Sequence, residues 1–363
     1  MKTLSKFTVL SFLILFAVGA NARSNFDIIA KLESAPGNVT VTDNGRSIMS
    51  LHQFYQPKYT VVEYIDKALV PFPNKELADA DSKAALKLDS VLGIRSANGI
   101  VWMLDNGLRG GVTPKLVGWD IKTNKLHQVI SLPPPIVPKD AFVNDFAVDT
   151  KHNHIFISDP AGGANAGLIV VNLKSGVARR VLEGHSSVIP ENIDLVIDKV
   201  PVQVKDKSGN LIRPHIGVNP ITEDLNNEWV YFGPMHGLSL YRIKADELVN
   251  EKLDTKALAS HVERYSDKPI SDGITIDKDN NIYLGELAEN AIGVISADRK
   301  YRRLAQSPDL SWVDSFCFGP AGELYAVVNR LHQSATLNGD VLKAKPPFYL
   351  IQVKALATGL PGR

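Results

Sequence analysis

Residues 269–286, PISDGITIDKDNNIYLGE, carry the pattern that organises the chain. Asp272 ends a short polar lead-in and an apolar alternation follows. Asp277 then opens the turn-like DKDNN, and a second apolar run ends at Glu286. Period-two alternation around an Asp- and Asn-rich turn predicts a β-hairpin. The same frame recurs in VNDFAVDTKHNHIFISD, VNPITEDLNNEWVYFGP, VDSFCFGPAGELYAVVN and GNVTVTDNGRSIMSLH. A sixth copy, VLGIRSANGIVWMLDNG, keeps the hairpin but has Val91 at the position of Asp272. The register marks are Asn38, Val91, Asn144, Asn219, Asp272 and Asp314, spaced by 53, 53, 75, 53 and 42 residues. The long interval contains a polar, charged insertion at 185–215.

Repeats of roughly 40–50 residues with several strands each have the size of propeller blades. Six frames predict an all-β, six-bladed β-propeller occupying residues 23–363 as one domain. A β-sandwich leaves six copies of one hairpin unexplained. Helix signals are few, at 75–92 and 244–253. In a propeller the first strand of each blade lines the central channel, so a residue just before it lies at the channel mouth. Asn38, Asn144, Asn219, Asp272 and Asp314 therefore converge on the axis as oxygen donors. Singly, such residues read as turn formers; five of six in one register point to a central site. Hard oxygen ligands suit calcium, which takes about 6–8 of them. Zinc is disfavoured because no His or Cys occupies the ring. The far ends of the hairpins add a second set of candidates: His52, Asp105, Asp159, Met235/His236, Glu286 and Asn329.

Charge narrows the partners. The 40 Lys and Arg offset 39 Asp and Glu, which leaves no electrostatic footprint for nucleic acid or anionic membrane. MKTLSKFTVLSFLILFAVGANA reads as a signal peptide: two lysines, an apolar run and an A-x-A site. Residues 1–22 are expected to be removed and the protein exported, to the periplasm or outside the cell; the alternative is a retained N-terminal anchor. After removal no segment is expected to associate with a membrane. Cys317 is the sole cysteine and reads as a buried small apolar residue. No G-x-S-x-G, H-E-x-x-H, C-x-x-C or P-loop motif is present.

Several stretches carry a family likeness. VWMLDNG…TPKLVGWDIKTNKLHQVISLPP, FVNDFAVDT…IFISDPAGGANAGLIVVNLKSG and LYAVVNRLH resemble the yellow/major royal jelly proteins over roughly residues 37–352. That resemblance implies a six-bladed propeller and a functionally mixed family that includes amine binders, nutritive proteins and dopachrome-converting proteins. A wider likeness is to gluconolactonase/regucalcin-type propellers and paraoxonase-like lactonases, which hold a divalent metal at the channel mouth. Asn144-Asp145, Asn219 in GVNP and Asp272 in SDG match the metal-site positions of the gluconolactonase/regucalcin type. Their first-blade glutamate has no equivalent; Asn38 stands there, and Pro220 replaces a glycine.

Three functions follow as expectations. The first is a calcium-dependent lactonase-like hydrolase. Asn144, Asn219 and Asp272 hold the ion, and Asp272 or Asp314 is the catalytic base. Asn38, Asp145, His52, Asp105, Asp159, Glu286 and Asn329 are the ligand-binding candidates. The second is a non-catalytic binder of a small amine or aromatic ligand at the same mouth. The third is a protein-interaction scaffold using the 185–215 insertion. For the export reading, N-terminal sequencing of the mature protein is expected to begin at Arg23; a start at Met1 removes it.

Overall fold

The computed structural model describes residues 25–363; the expected leader, residues 1–22, lies outside the described residues. Six four-stranded antiparallel sheets form the blades of a propeller. The innermost strands are Pro36–Val41, Val91–Ala97, Phe146–Asp149, Val218–Glu223, Ile274–Ile276 and Val313–Phe318. Each pairs with the second half of its predicted hairpin: Ser47–Leu51, Ile100–Asp105, His154–Asp159, Trp229–Pro234, Ile282–Glu286 and Leu324–Val328. Acidic side chains at the turns cap them. Asp149 accepts from the His152 N–H at 2.8 Å, Asp224 from Glu228 at 2.8 Å and Asp277 from Asn281 at 2.9 Å.

The helix-like stretch 75–92 holds only the turn Lys75–Ala78, capped by Asn74. Residues 79–90 fold as an irregular connection between the first two blades, and Val91 and Leu92 open the second blade's innermost strand. The second stretch contains Ala245–Val249.

Apolar residues fill every blade-to-blade interface. Phe156 and Val170 of the third blade pack with Ile221 and Phe232 of the fourth. Ile274 and Leu284 of the fifth pack with Tyr231 and Leu240 of the fourth. Cys317 lies in the cluster joining the sixth blade to the first and is fully buried. Each sheet thus buries both faces, and a ring is the arrangement that leaves no face over.

Two segments outside the hairpin repeat close the ring. The first is Phe26–Leu32, which pairs antiparallel with Phe348–Val353 as the outermost strand of the sixth blade. The sixth sheet therefore contains both ends of the propeller. The second is the tail 356–363, which crosses the channel mouth opposite the register marks and bonds to every blade. Gly362 O accepts from Thr40 Oγ1 at 3.1 Å and Ser96 N at 3.3 Å. The Arg363 guanidinium donates to Val148 O at 3.1 Å and Asp224 O at 2.9 Å. Lys278 N donates to Thr358 O at 2.9 Å, and Phe318 N to Arg363 O at 2.7 Å. Beside Arg363, burial pushes the Glu223 carboxyl up to about 9.

The 185–215 insertion forms two short hairpins, Val196–Ile197 with Val200–Pro201 and Val204–Lys205 with Leu211–Ile212. It is not a free appendage. Leu195, Ile197 and Val202 pack on Met235, Trp312 and Leu337, above the channel mouth. Gln203 N donates to Leu337 O at 3.2 Å, and Gly339 N to Gln203 O at 3.0 Å, tying the insertion to the sixth blade's loop.

Gly362 has φ +84°, and a Cβ there would lie 2.0 Å from Ser96 O. Gly362→Ala must therefore displace the tail. We expect it to lower stability by roughly 2 kcal/mol, measured as a reduced urea midpoint with an unchanged m-value.

Candidate functional site

Four of the six innermost strands begin with irregular pairing. Register shifts occur at Pro36/Asn38, Val91/Ile94, Val218/Ile221 and Val313/Ser315. Bulges re-aim side chains and sit preferentially beside functional sites. Here they coincide with the register marks at the channel mouth. The mouth is a cavity of about 280 Å³.

Asn38, Asn144, Asp145, Asn219, Asp272 and Asp314 all line the cavity. At the second blade, Leu92 rather than Val91 reaches it. The polar floor is a connected chain. Asn144 Nδ2 donates to Asn219 Oδ1, and Asn219 Nδ2 to Asp272 Oδ1. The other oxygen of Asp272 accepts from Trp312 Nε1 at 2.8 Å. On the far side, Arg95 donates to Asn38 Oδ1 at 2.6 Å, and Asn38 Nδ2 donates to Asp145 Oδ1 at 2.6 Å.

Arg95 was not among the sequence candidates. It lies on the second blade's innermost strand at 5% exposure, and its positive charge acts on Asp145. The sequence carries a usable signal for it: an arginine inside the apolar run VLGIRSA, which alternation places on a channel-lining strand.

Trp312 was also missed. Its backbone has φ +62°, an unfavourable region for a bulky residue, costing about 1–3 kcal/mol. Its ring stacks on His332 with centroids 6.0 Å apart. This strained backbone places the indole N–H on Asp272.

The second candidate set divides. His52 lines the cavity beside Phe54, with ring centroids 4.6 Å apart. Its Nδ1 accepts from Phe54 N at 3.2 Å, so the neutral ring carries its proton on Nε2. Burial lowers its pKa to about 3 and keeps it neutral. Met235 lines the cavity. His236 is buried behind it, and Ile216 N donates to its Nδ1 at 3.1 Å. Asn329 supports the site: its Nδ2 donates to Asp314 and to Pro36 O at 2.9 Å.

Asp105, Asp159 and Glu286 do not line the cavity. Asp105 is paired with Lys115 at 2.5 Å and accepts from Asp89 N and Ser90 N. Asp159 is paired with Arg180 at 2.6 Å and holds the Phe142 N–H at 2.8 Å, so it positions a wall residue. Glu286 is clamped by Arg303 at 2.7 Å and Tyr301 at 2.7 Å. A hairpin end can point along the rim as readily as inward, and their spacing alone did not distinguish the two.

The acids differ in their compensation. Burial raises the Asp145 pKa, which Arg95 and Asn38 partly offset. Burial and the neighbouring carboxylates raise both Asp272 and Asp314 above the ordinary aspartate value. No Lys or Arg ion pair reaches either among the described residues. The walls above them are apolar or aromatic: Phe54, Phe142, Trp312, Ile216, Leu331 and Leu337.

The fold and this mouth can now be set beside known proteins. The major royal jelly protein family matches residues 92–358. The chain belongs to that family. No curated protein matches it. Among solved structures, this royal jelly family propeller is similar to a luciferin-regenerating enzyme. Identity is 13%, coverage 93% of this chain and 97% of the other, and TM-score 0.57. It is also similar to a gluconolactonase from Xanthomonas campestris, at 9% identity, 90% and 89% coverage, and TM-score 0.55. At such identities the likeness shows the fold alone, a six-bladed propeller.

The calcium implied by that wider likeness can be tested on the donor set. Asn144, Asn219 and Asp272 offer only oxygen or amide groups, the right kind for a hard cation. They carry one carboxylate among them, and their side chains already bond head to tail. Among the described residues no three His, Cys, Asp or Glu side chains gather as a metal cluster. The donors fit calcium in kind, with Asp314 as the nearby source of further charge.

The buried pair has a consequence for stability. Asp314 lies above the ordinary aspartate value of 3.8 in the folded state, so the native state binds more protons than the unfolded one above that pH. Stability should then fall as pH rises from about 4 toward neutrality, by up to about 1.4 kcal/mol per pH unit per group. Asp314→Asn is expected to flatten this slope and raise the melting temperature at pH 7 in chelator. Parallel melting curves of both proteins against pH check it.

Proposed function

We propose that the channel mouth binds a small organic amine, its cationic group against Asp272 and Asp314 and its aromatic or apolar body against Phe54, Phe142 and Trp312. The observation that carries this is the pair of buried acids with no Lys or Arg ion pair among the described residues, beneath apolar walls. Buried charge is stabilised by a counter-charge or removed by protonation. An ammonium group supplies the counter-charge and up to three N–H donors. Aromatic rings add attraction for a cation. Asp272 Oδ1 and Oδ2 accept from Asn219 and Trp312, and an ammonium would meet the remaining lone pairs of this carboxylate. On this reading the protein is an exported, non-catalytic binder.

A second reading rests on the oxygen-rich floor: a calcium-dependent hydrolase of the lactonase type. Asn144, Asn219 and Asp272 would hold the ion. When bound, it would act as a Lewis acid on a lactone carbonyl. Asp314, outside that ligand set and raised in proton affinity, would take the proton of the attacking water. His52, with its proton on Nε2, would donate a hydrogen bond to a substrate oxygen. The apolar walls would admit a hydrophobic lactone.

Thermal unfolding of the chelated protein, with either phenethylamine or calcium chloride added, separates the two readings. A ligand of the folded state at 100 times its dissociation constant adds about 2.7 kcal/mol. We expect phenethylamine to raise the melting temperature and Asp272→Asn/Asp314→Asn to abolish the rise. A rise with calcium alone, lost in Asp272→Asn, transfers support to the hydrolase. No shift with either overturns both.

A further inference from the structure

We propose that a second cavity on the same face binds an uncharged sugar through Gln53 and Arg109. This cavity has a volume of about 500 Å³ and lies among the loops that follow the hairpin ends of the first two blades. Small-molecule sites run from about 300 to 1,000 Å³, so there is room for a sugar ring. Phe54 lines both cavities, which therefore adjoin at this residue. The inference does not depend on what the first cavity binds.

Charge sets the first condition. The charged residues of the lining are Lys87 and Arg109 against Asp81 and Asp89, two of each sign. Lys87 lies 3.5 Å from Asp89. Asp89 also accepts from Gly110 N at 2.8 Å and Ser90 Oγ at 3.2 Å. An anion would sit near Asp81 and a cation near Arg109, and neither would find a spare counter-charge. The balance favours a ligand with no net charge.

Hydrogen bonding sets the second. Gln53 is 7% exposed, its Oε1 is enclosed without a hydrogen-bond partner, and its Nε2 makes no hydrogen bond among the described residues. His52 caps the short turn Gln53–Tyr55, which fixes the backbone beneath this amide. The last torsion of a glutamine is broad, so the amide turns either atom to the cavity without breaking a hydrogen bond. Its oxygen needs a donor, which a carboxylate lacks and a hydroxyl supplies. Arg109 needs acceptors. It donates one N–H to Pro57 O at 2.8 Å and forms no ion pair among the described residues, which leaves the rest of its fork unused.

A hydroxyl meets both needs, since it donates one hydrogen bond and accepts two. The Gln53 amide and the Arg109 guanidinium are planar, and each can span two neighbouring hydroxyls of a sugar ring. Gln56 and Thr336 add an uncharged amide and a hydroxyl to the lining. Phe54 and Leu108, the latter 47% exposed, offer apolar surface to the ring's C–H groups.

Saturation-transfer NMR titration of the full protein with D-glucose, D-galactose and D-mannose tests this, with the uronate of each sugar as the anionic comparison. We expect at least one of the three sugars to bind, and its uronate to bind more weakly. Gln53→Leu should weaken that sugar about fivefold, the loss of hydrogen bonds to an uncharged group. It should also raise the melting temperature of the ligand-free protein, because the unpaired amide is gone. Arg109→Met should weaken the sugar about tenfold, since a charged donor makes the stronger hydrogen bond. Melting curves of both ligand-free variants establish that they are folded. Asp272→Asn/Asp314→Asn should leave the sugar affinity within about twofold, because it alters none of the lining of this cavity. Absence of binding by all three sugars, tighter binding of the uronate, or unchanged affinity in folded Gln53→Leu and Arg109→Met overturns the proposal.

Discussion

The structure depends on ring closure. Each blade is a four-stranded sheet with two apolar faces, and neither face is stable in water. Packing blade against blade buries both, but only if the last blade meets the first. Closure comes from Phe26–Leu32 pairing with Phe348–Val353, so the two ends of the propeller share one sheet. Once the ring is closed, the positions of the innermost strands are no longer independent. Their starts come together at one mouth, and their ends at the other.

That convergence produces the chemistry. Asp145, Asp272 and Asp314 come from three blades, and none is near another in the chain. The ring brings them into one cavity and removes them from water together. Arg95 and Asn38 answer Asp145. Asp272 receives two hydrogen bonds, one of them from a tryptophan in a strained backbone conformation, and Asp314 receives one from Asn329. Among the described residues neither of these two receives a Lys or Arg ion pair. The opposite mouth is closed by Gly362 and Arg363, so the cavity is entered from the register-mark face. The insertion at 185–215 packs on Met235, Trp312 and Leu337, which line the cavity.

Function in this fold is a property of these few residues and not of the propeller itself. The acid pair and apolar walls favour an organic cation. The oxygen-only floor keeps a calcium-dependent hydrolysis in competition with it. Both readings draw on the same imbalance of charge.

The sequence by itself determined the blade count, the hairpin register and the convergence of Asn38, Asn144, Asn219, Asp272 and Asp314, because a period-two pattern repeated six times admits few architectures. It also suggested His52 and Asn329. It did not separate these from Asp105, Asp159 and Glu286, since a carboxylate at a hairpin end can face a ligand or an arginine one strand away. Only the tertiary structure decided that Lys115, Arg180 and Arg303 claim those three. It likewise decided that Arg95 reaches Asn38, that Trp312 turns onto Asp272, and that the tail and the N-terminal strand close the ring. Those are contacts between segments tens to hundreds of residues apart, and no local pattern records them.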